Sequence, residues 1–172
     1  DLDRALASKT DSAELFQQRA VARDRLGDTR GALADLSRAL DLDPDVAQYW
    51  CERGILRERI GDHRGAIDDH ERALALAPDD PRTLANLGVA RAGVGDLARG
   101  AADIERAVAL GADDAALALG NLGAIYQLMD DHTRAVDALT RALAVQPDLP
   151  VVLVNRGVSR GKLGDHAGAI DD

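Results

Sequence analysis

The chain has 172 residues, of which 30 are acidic and 21 basic, giving a formal net charge of −9, with 46% hydrophobic and only 2% aromatic residues. The acidic balance argues against a general nucleic-acid binder, which needs a basic stripe to replace counterions on phosphates, and against attraction to an anionic membrane surface. Cys51 is the one cysteine, so an internal disulfide and a cysteine-based zinc site are ruled out and a reducing, cytoplasmic compartment is expected.

The charges are interspersed, as on a solvated helical surface, and no run is apolar enough to span a bilayer. From the first residues onward the sequence repeats with a period of 34, the mark of stacked helix pairs. Leu2, Arg4, Ala5 and Leu6 align with Leu36, Arg38, Ala39 and Leu40, so residues 1–12 read as the end of a second helix. Full units follow at 13–46, 47–80, 81–115 (one residue longer) and 116–149, then a partial unit at 150–172. With no polar capping helix at either end, the chain reads as a single array segment of a longer protein, and open ends of this kind could stack end to end in self-association.

In chain order the predicted first helices are Glu14–Leu26, Gln48–Ile60, Arg82–Val94, Leu117–Met129 and Val151–Leu163. The predicted second helices are Thr29–Asp41, His63–Leu76, Leu97–Leu110 and His132–Val145. Gly-Asp pairs at 27–28, 61–62, 95–96 and 164–165 separate them, with Asp130-Asp131 in the fourth unit. Glycine there ends one helix in the left-handed conformation and aspartate caps the next. Pro44, Pro78 and Pro147 close the second helices, while the third unit has Gly111 instead.

Small residues recur at fixed places: Ala20, Gly54, Gly88, Gly123 and Gly157, then Ala32, Ala66, Gly100, Ala135 and Ala169, then Ala39, Ala73, Ala107 and Ala142. Glycine inside a helix costs about 1 kcal/mol relative to alanine. Close packing of the first helix on the second is the compensating gain, so Gly88→Leu is expected to overpack that contact.

These positions resemble the tetratricopeptide repeat. Its tryptophan position holds Phe16, Trp50, Leu84, Leu119 and Leu153, its tyrosine position holds Tyr126 once, and its proline position holds Pro44, Pro78 and Pro147. The resemblance implies an all-α solenoid of antiparallel helix pairs, a right-handed superhelix whose first helices line a concave groove. It also implies a non-enzymatic scaffold that binds a protein or peptide ligand there. A substrate-recruiting arm of a larger enzyme, such as a glycosyltransferase, is the alternative.

Arginine replaces the family tyrosine at Arg23, Arg57, Arg91 and Arg160, and twelve residues later stand Asp35, Asp69, Asp103 and Asp172. In the fourth unit both change together, to Tyr126 and Ala138. That covariation favours an ion pair between the two helices of a unit over a row of arginines gripping ligand carboxylates.

No nucleophile elbow, phosphate loop or HExxH motif is present, and no catalytic residue, metal ligand or cofactor is assigned. His63, His132 and His166 share a post-turn position with Thr29 and Leu97, and His70 takes a place held by Leu36, Ile104 and Leu139. Packing explains both positions better than metal ligation.

Family geometry points three first-helix positions into the groove. The first reads Glu14, Gln48, Arg82, Leu117 and Val151; the second includes Gln17 and Cys51, with Ala85, Gly120 and Val154; the third reads Gln18, Glu52, Asn86, Asn121 and Asn155. The third resembles the asparagine ladder of some tetratricopeptide arrays, whose amides both donate to and accept from a peptide backbone. The first two units look polar and acidic at these places and the last two apolar, which suits an extended ligand with a polar or basic end and an apolar end.

Overall fold

A computed structural model describes residues 12–172. The partial second helix expected over residues 1–12 falls almost wholly outside the described residues. Ten α-helices and no strands are found among the described residues, paired in sequence order. They are α1 Ala13–Arg25 and α2 Thr29–Leu42, α3 Ala47–Arg59 and α4 His63–Leu76, α5 Pro81–Gly93 and α6 Leu97–Ala109, α7 Ala115–Leu128 and α8 His132–Val145, α9 Pro150–Lys162 and α10 His166–Asp171. The pairs group into two compact units, one ending at Pro78 and the other starting at Asp79.

The first helices begin and end slightly earlier than the sequence predicts, for two local reasons. Pro81 and Pro150 open their helices, where a missing N–H costs nothing. At the other end Leu26, Ile60, Val94, Met129 and Leu163 are already caps, because the next residue turns left-handed. Gly27, Gly61, Gly95 and Gly164 do this at φ +80° to +86°. Asp130 does it at φ +59°, with a Cβ that glycine lacks. Asp130→Gly is therefore expected to stabilise the protein by up to about 1 kcal/mol, after allowance for glycine's greater unfolded-state entropy. A lower urea midpoint would contradict this.

The aspartates after the turn cap as predicted in four units. The carboxylates of Asp28, Asp62, Asp131 and Asp165 accept from the backbone N–H of Gly31, Gly65, Arg134 and Gly168. Asp96 makes no such bond; its carboxylate pairs with Arg99 instead. Asp80 and Asp114 cap α5 and α7 through Thr83 and Leu117.

In the first unit Ala20, Leu36, Ala39, Tyr49 and Leu56 form the buried apolar centre. In the second, Ile104, Leu119, Leu122, Ile125 and Leu139 do. The small positions sit where helices approach most closely. A Cβ added at Gly54 would lie 2.5 Å from the His70 ring, and one at Gly123 2.5 Å from Leu139. His70 is thus packed inside the α3–α4 contact, fully buried.

The four Arg–Asp pairs are present, and three of them are larger than the sequence suggests. Asp69, 1% exposed, takes two bonds from the Arg53 fork at 2.7 and 2.9 Å, and Arg57 Nη1 lies 2.8 Å from its Oδ2. Arg57 also donates to the Gly65 carbonyl at 2.9 Å. Arg19 and Arg23 hold Asp35 in the same way, and Arg156 and Arg160 hold Asp172. Two arginines one turn apart on a first helix therefore clamp one carboxylate on the second. Bidentate pairing of this kind is the strong form of an ion pair.

In the third repeat Arg91 reaches Asp103 at 2.5 Å, and Leu87 stands in the second arginine's place. Burial accordingly pushes the Asp103 carboxyl up, whereas the bond from Arg156 holds that of Asp172 down. The fourth repeat uses Tyr126 instead. Its hydroxyl donates to Glu105, the Arg134 guanidinium stacks 4.4 Å from its ring, and burial pushes the phenol to about 12.

Candidate functional site

The first helices of each unit present the predicted ligand positions, and the two units treat them differently. In the first unit the polar groups satisfy one another. Gln17 donates to both oxygens of Glu52 at 3.1 and 3.0 Å, Gln48 donates to Glu52 at 2.7 Å, and Gln18 donates to Glu14 at 3.4 Å. Beside them a recess of about 200 Å³ opens between α1 and α3, lined by Val21, Ile55 and Glu52. Arg59 crosses from α3 to Asp24 on α1.

Cys51 is a correction. It was expected to line the groove, but it is 2% exposed. Its counterparts Ala85 and Gly120 are small as well; at Cys51 the small side chain is taken up by helix contact. Val154, at the same position on α9, is 62% exposed.

In the second unit α7 neighbours both α5 and α9. A cavity of about 500 Å³ lies between α7 and α9, lined by Leu117, Gly120, Asn121, Val151 and Asn155, with Asp114 at its edge. Gly120 keeps the floor low: a Cβ there would stand 3.3 Å from Val152. Leu117 and Val151 are 58% and 72% exposed, although both are large and apolar.

Among the described residues no hydrogen bond engages the side-chain amides of Asn86, Asn121 or Asn155. The nearby polar contact is elsewhere, with the Gln127 amide donating to the Asn155 backbone carbonyl at 2.7 Å and to Ser159 Oγ at 2.8 Å. Asn121 and Asn155 share the cavity wall; Asn86 and the exposed Arg82 lie on α5 and do not line it. The cavity volume falls within the usual range for small-ligand pockets, and a polar amide pair above an apolar floor suits a chain with both backbone and side chains to offer.

Family models described as tetratricopeptide repeat match residues 18–81 and 118–151, together more than half of the chain. The chain belongs to the tetratricopeptide repeat family. This tetratricopeptide protein is similar in fold to a MamA structure from Desulfovibrio magneticus RS-1, at 20% identity over 92% of this chain and 89% of that one, with a TM-score of 0.84. It is similar to PilW, a type IV pilus biogenesis factor, at 24% identity over 91% and 72% of the two chains, TM-score 0.83. YrrB, whose structure is described as a TPR protein with an unusual peptide-binding site, matches at 19% identity over 99% and 87%, TM-score 0.78. No curated protein sequence matches the chain.

The arginines of this tetratricopeptide protein that replace the family tyrosine are engaged with aspartates of the same helix pair and do not form a carboxylate-gripping row. Sequence reading missed their partners Arg19, Arg53 and Arg156. A signal for them exists, since each stands sixteen residues before a clamped aspartate.

Proposed function

We propose that this chain is a non-enzymatic protein-interaction scaffold that holds an extended segment of a partner protein on the first-helix face of its second unit. The observation that carries the reading is the contrast in amides. Gln17, Gln18 and Gln48 are occupied by Glu14 and Glu52, while Asn121 and Asn155 stand unengaged on the wall of an apolar cavity. An unengaged amide beside apolar surface can pair with an extended backbone while the neighbouring side chain is buried. Family membership and the fold likeness to YrrB, described as peptide-binding, agree with this.

The test is capture of an array of unrelated short peptides by the whole chain and by an Asn121→Ala/Asn155→Ala variant. Loss of two backbone contacts is expected to weaken captured peptides broadly, about five- to thirtyfold, with little change in rank order. Unchanged capture would defeat the reading.

A further inference from the structure

We infer that the segment bound by this face carries a bulky aliphatic or aromatic side chain with lysine or arginine beside it, the apolar group seated between α7 and α9 and the cation at the acidic rim of that seat. The inference rests on the proposed function and adds the chemistry of the ligand.

The seat is apolar because of what the helices place there. Leu117 on α7 and Val151 on α9 flank it, and Gly120 leaves depth between them. The exposed apolar surface continues along α9 at Val154 and Val158, 62% and 52% exposed. Covering such side chains removes apolar surface from water, a gain that an all-polar segment would forgo.

The rim is acidic. Asp114 lines the cavity, Asp113 precedes it in the same turn, and Asp148 lies exposed in the turn that contributes Gln146 and Leu149 to the wall. Two helix N-termini oppose this charge with roughly half a positive unit each. The C-terminal end of α8, which reaches the cavity at Gln146, returns about half a negative unit. Asp114 offsets that remainder at the lining itself, and the exposed Asp113 and Asp148 in the adjoining turns add negative charge outside it. Arg82, the arginine among the ligand positions of this unit, is not in the cavity lining. With the whole chain at −9, the field at the seat favours a cationic neighbour and disfavours both an acidic segment and a second copy of this chain.

The test uses fluorescence anisotropy with the whole chain and three labelled synthetic peptides: leucines flanked by lysines, the same leucines flanked by glutamates, and alanines flanked by lysines. The first is expected to bind at least about tenfold tighter than either of the others. Leu117→Ala/Val151→Ala, both at exposed positions, is expected to abolish most of the leucine preference. Asp114→Asn/Asp148→Asn is expected to erase the preference for lysine over glutamate while keeping the α7 cap, since asparagine caps as well as aspartate.

Equal binding of the lysine and glutamate peptides, or a leucine preference untouched by Leu117→Ala/Val151→Ala, overturns the inference. Self-association that disappears in that same variant also overturns it, by making a second copy the occupant. If only the glutamate peptide binds, and does so through Asn121 and Asn155, the inference fails while the proposed function stands. If no peptide binds and the array is indifferent to the asparagines, both fail.

Discussion

Asp69→Ala is expected to be among the most damaging single changes in the first unit, costing about 3 kcal/mol or more. The carboxylate is 1% exposed and accepts from both Arg53 and Arg57, whose side chains are 13% and 26% exposed. Its removal leaves two guanidinium groups facing each other across a largely dry contact. They are attached to the same helix one turn apart, so neither can withdraw without giving up its other bonds, to Ser37 and to the Gly65 carbonyl. The part of each arginine that still meets water lowers the cost below that of a fully buried pair. A urea titration checks the size. A loss under about 1 kcal/mol would mean that the clamp is held in place by the fold and adds little to it. Asp69→Asn keeps the shape and one acceptor and is expected to cost less than Asp69→Ala.

Gly100→Ala is expected to cost about 1–3 kcal/mol, although alanine occupies the matching place at Ala32, Ala66, Ala135 and Ala169. The α5–α6 pair is closed more tightly than the others. A Cβ on Gly100 would lie 2.6 Å from the Gly88 carbonyl oxygen, and one on Gly88 would lie 2.6 Å from the Gly100 carbonyl oxygen. Those neighbours are backbone, so the strain cannot be relieved by turning a side chain. At Gly54 and Gly123 the obstacle is a side chain, His70 or Leu139, and some relief is possible. Gly88→Leu should be worse than Gly100→Ala. Thermal melts of Gly100→Ala and Gly54→Ala provide the comparison, and equal losses would refute the distinction.

Most of the helix pairing was legible in the sequence, because the period, the small residues and the turn aspartates all mark local geometry. The missing cap bond at Asp96 was not, since Asp96 and Asp131 both pair with an arginine three residues on, yet only Asp131 also caps its helix. The second arginine of each clamp was concealed by the third repeat, where Asp103 is kept but Leu87 breaks the pattern. Covariation then showed the partner twelve residues away and hid the one sixteen away.

At the candidate site, the positions could be enumerated from sequence, but their availability could not. Gln17 and Asn121 are both amides on predicted ligand-facing helices. Only coordinates reveal that one is tied to Glu52 while the other has no such tie. Cys51 failed for a related reason, as family geometry gives the direction of a side chain and not how near the adjoining helix comes.

The clamp in the first unit reaches beyond its own helix pair. Arg53 grips Asp69 within its pair and also reaches Ser37 on α2 of the preceding one, while its guanidinium stacks 4.9 Å from the Trp50 ring. Melting α3 and α4 therefore strips a partner from α2, and melting α2 loosens the arginine that holds α4. In a nearest-neighbour description of a repeat array this is an interface term added to the intrinsic one. It makes the smallest cooperative step in that unit two helix pairs instead of one. Native-state hydrogen exchange should register α2 and α4 opening with a common free energy, and Arg53→Met should separate them.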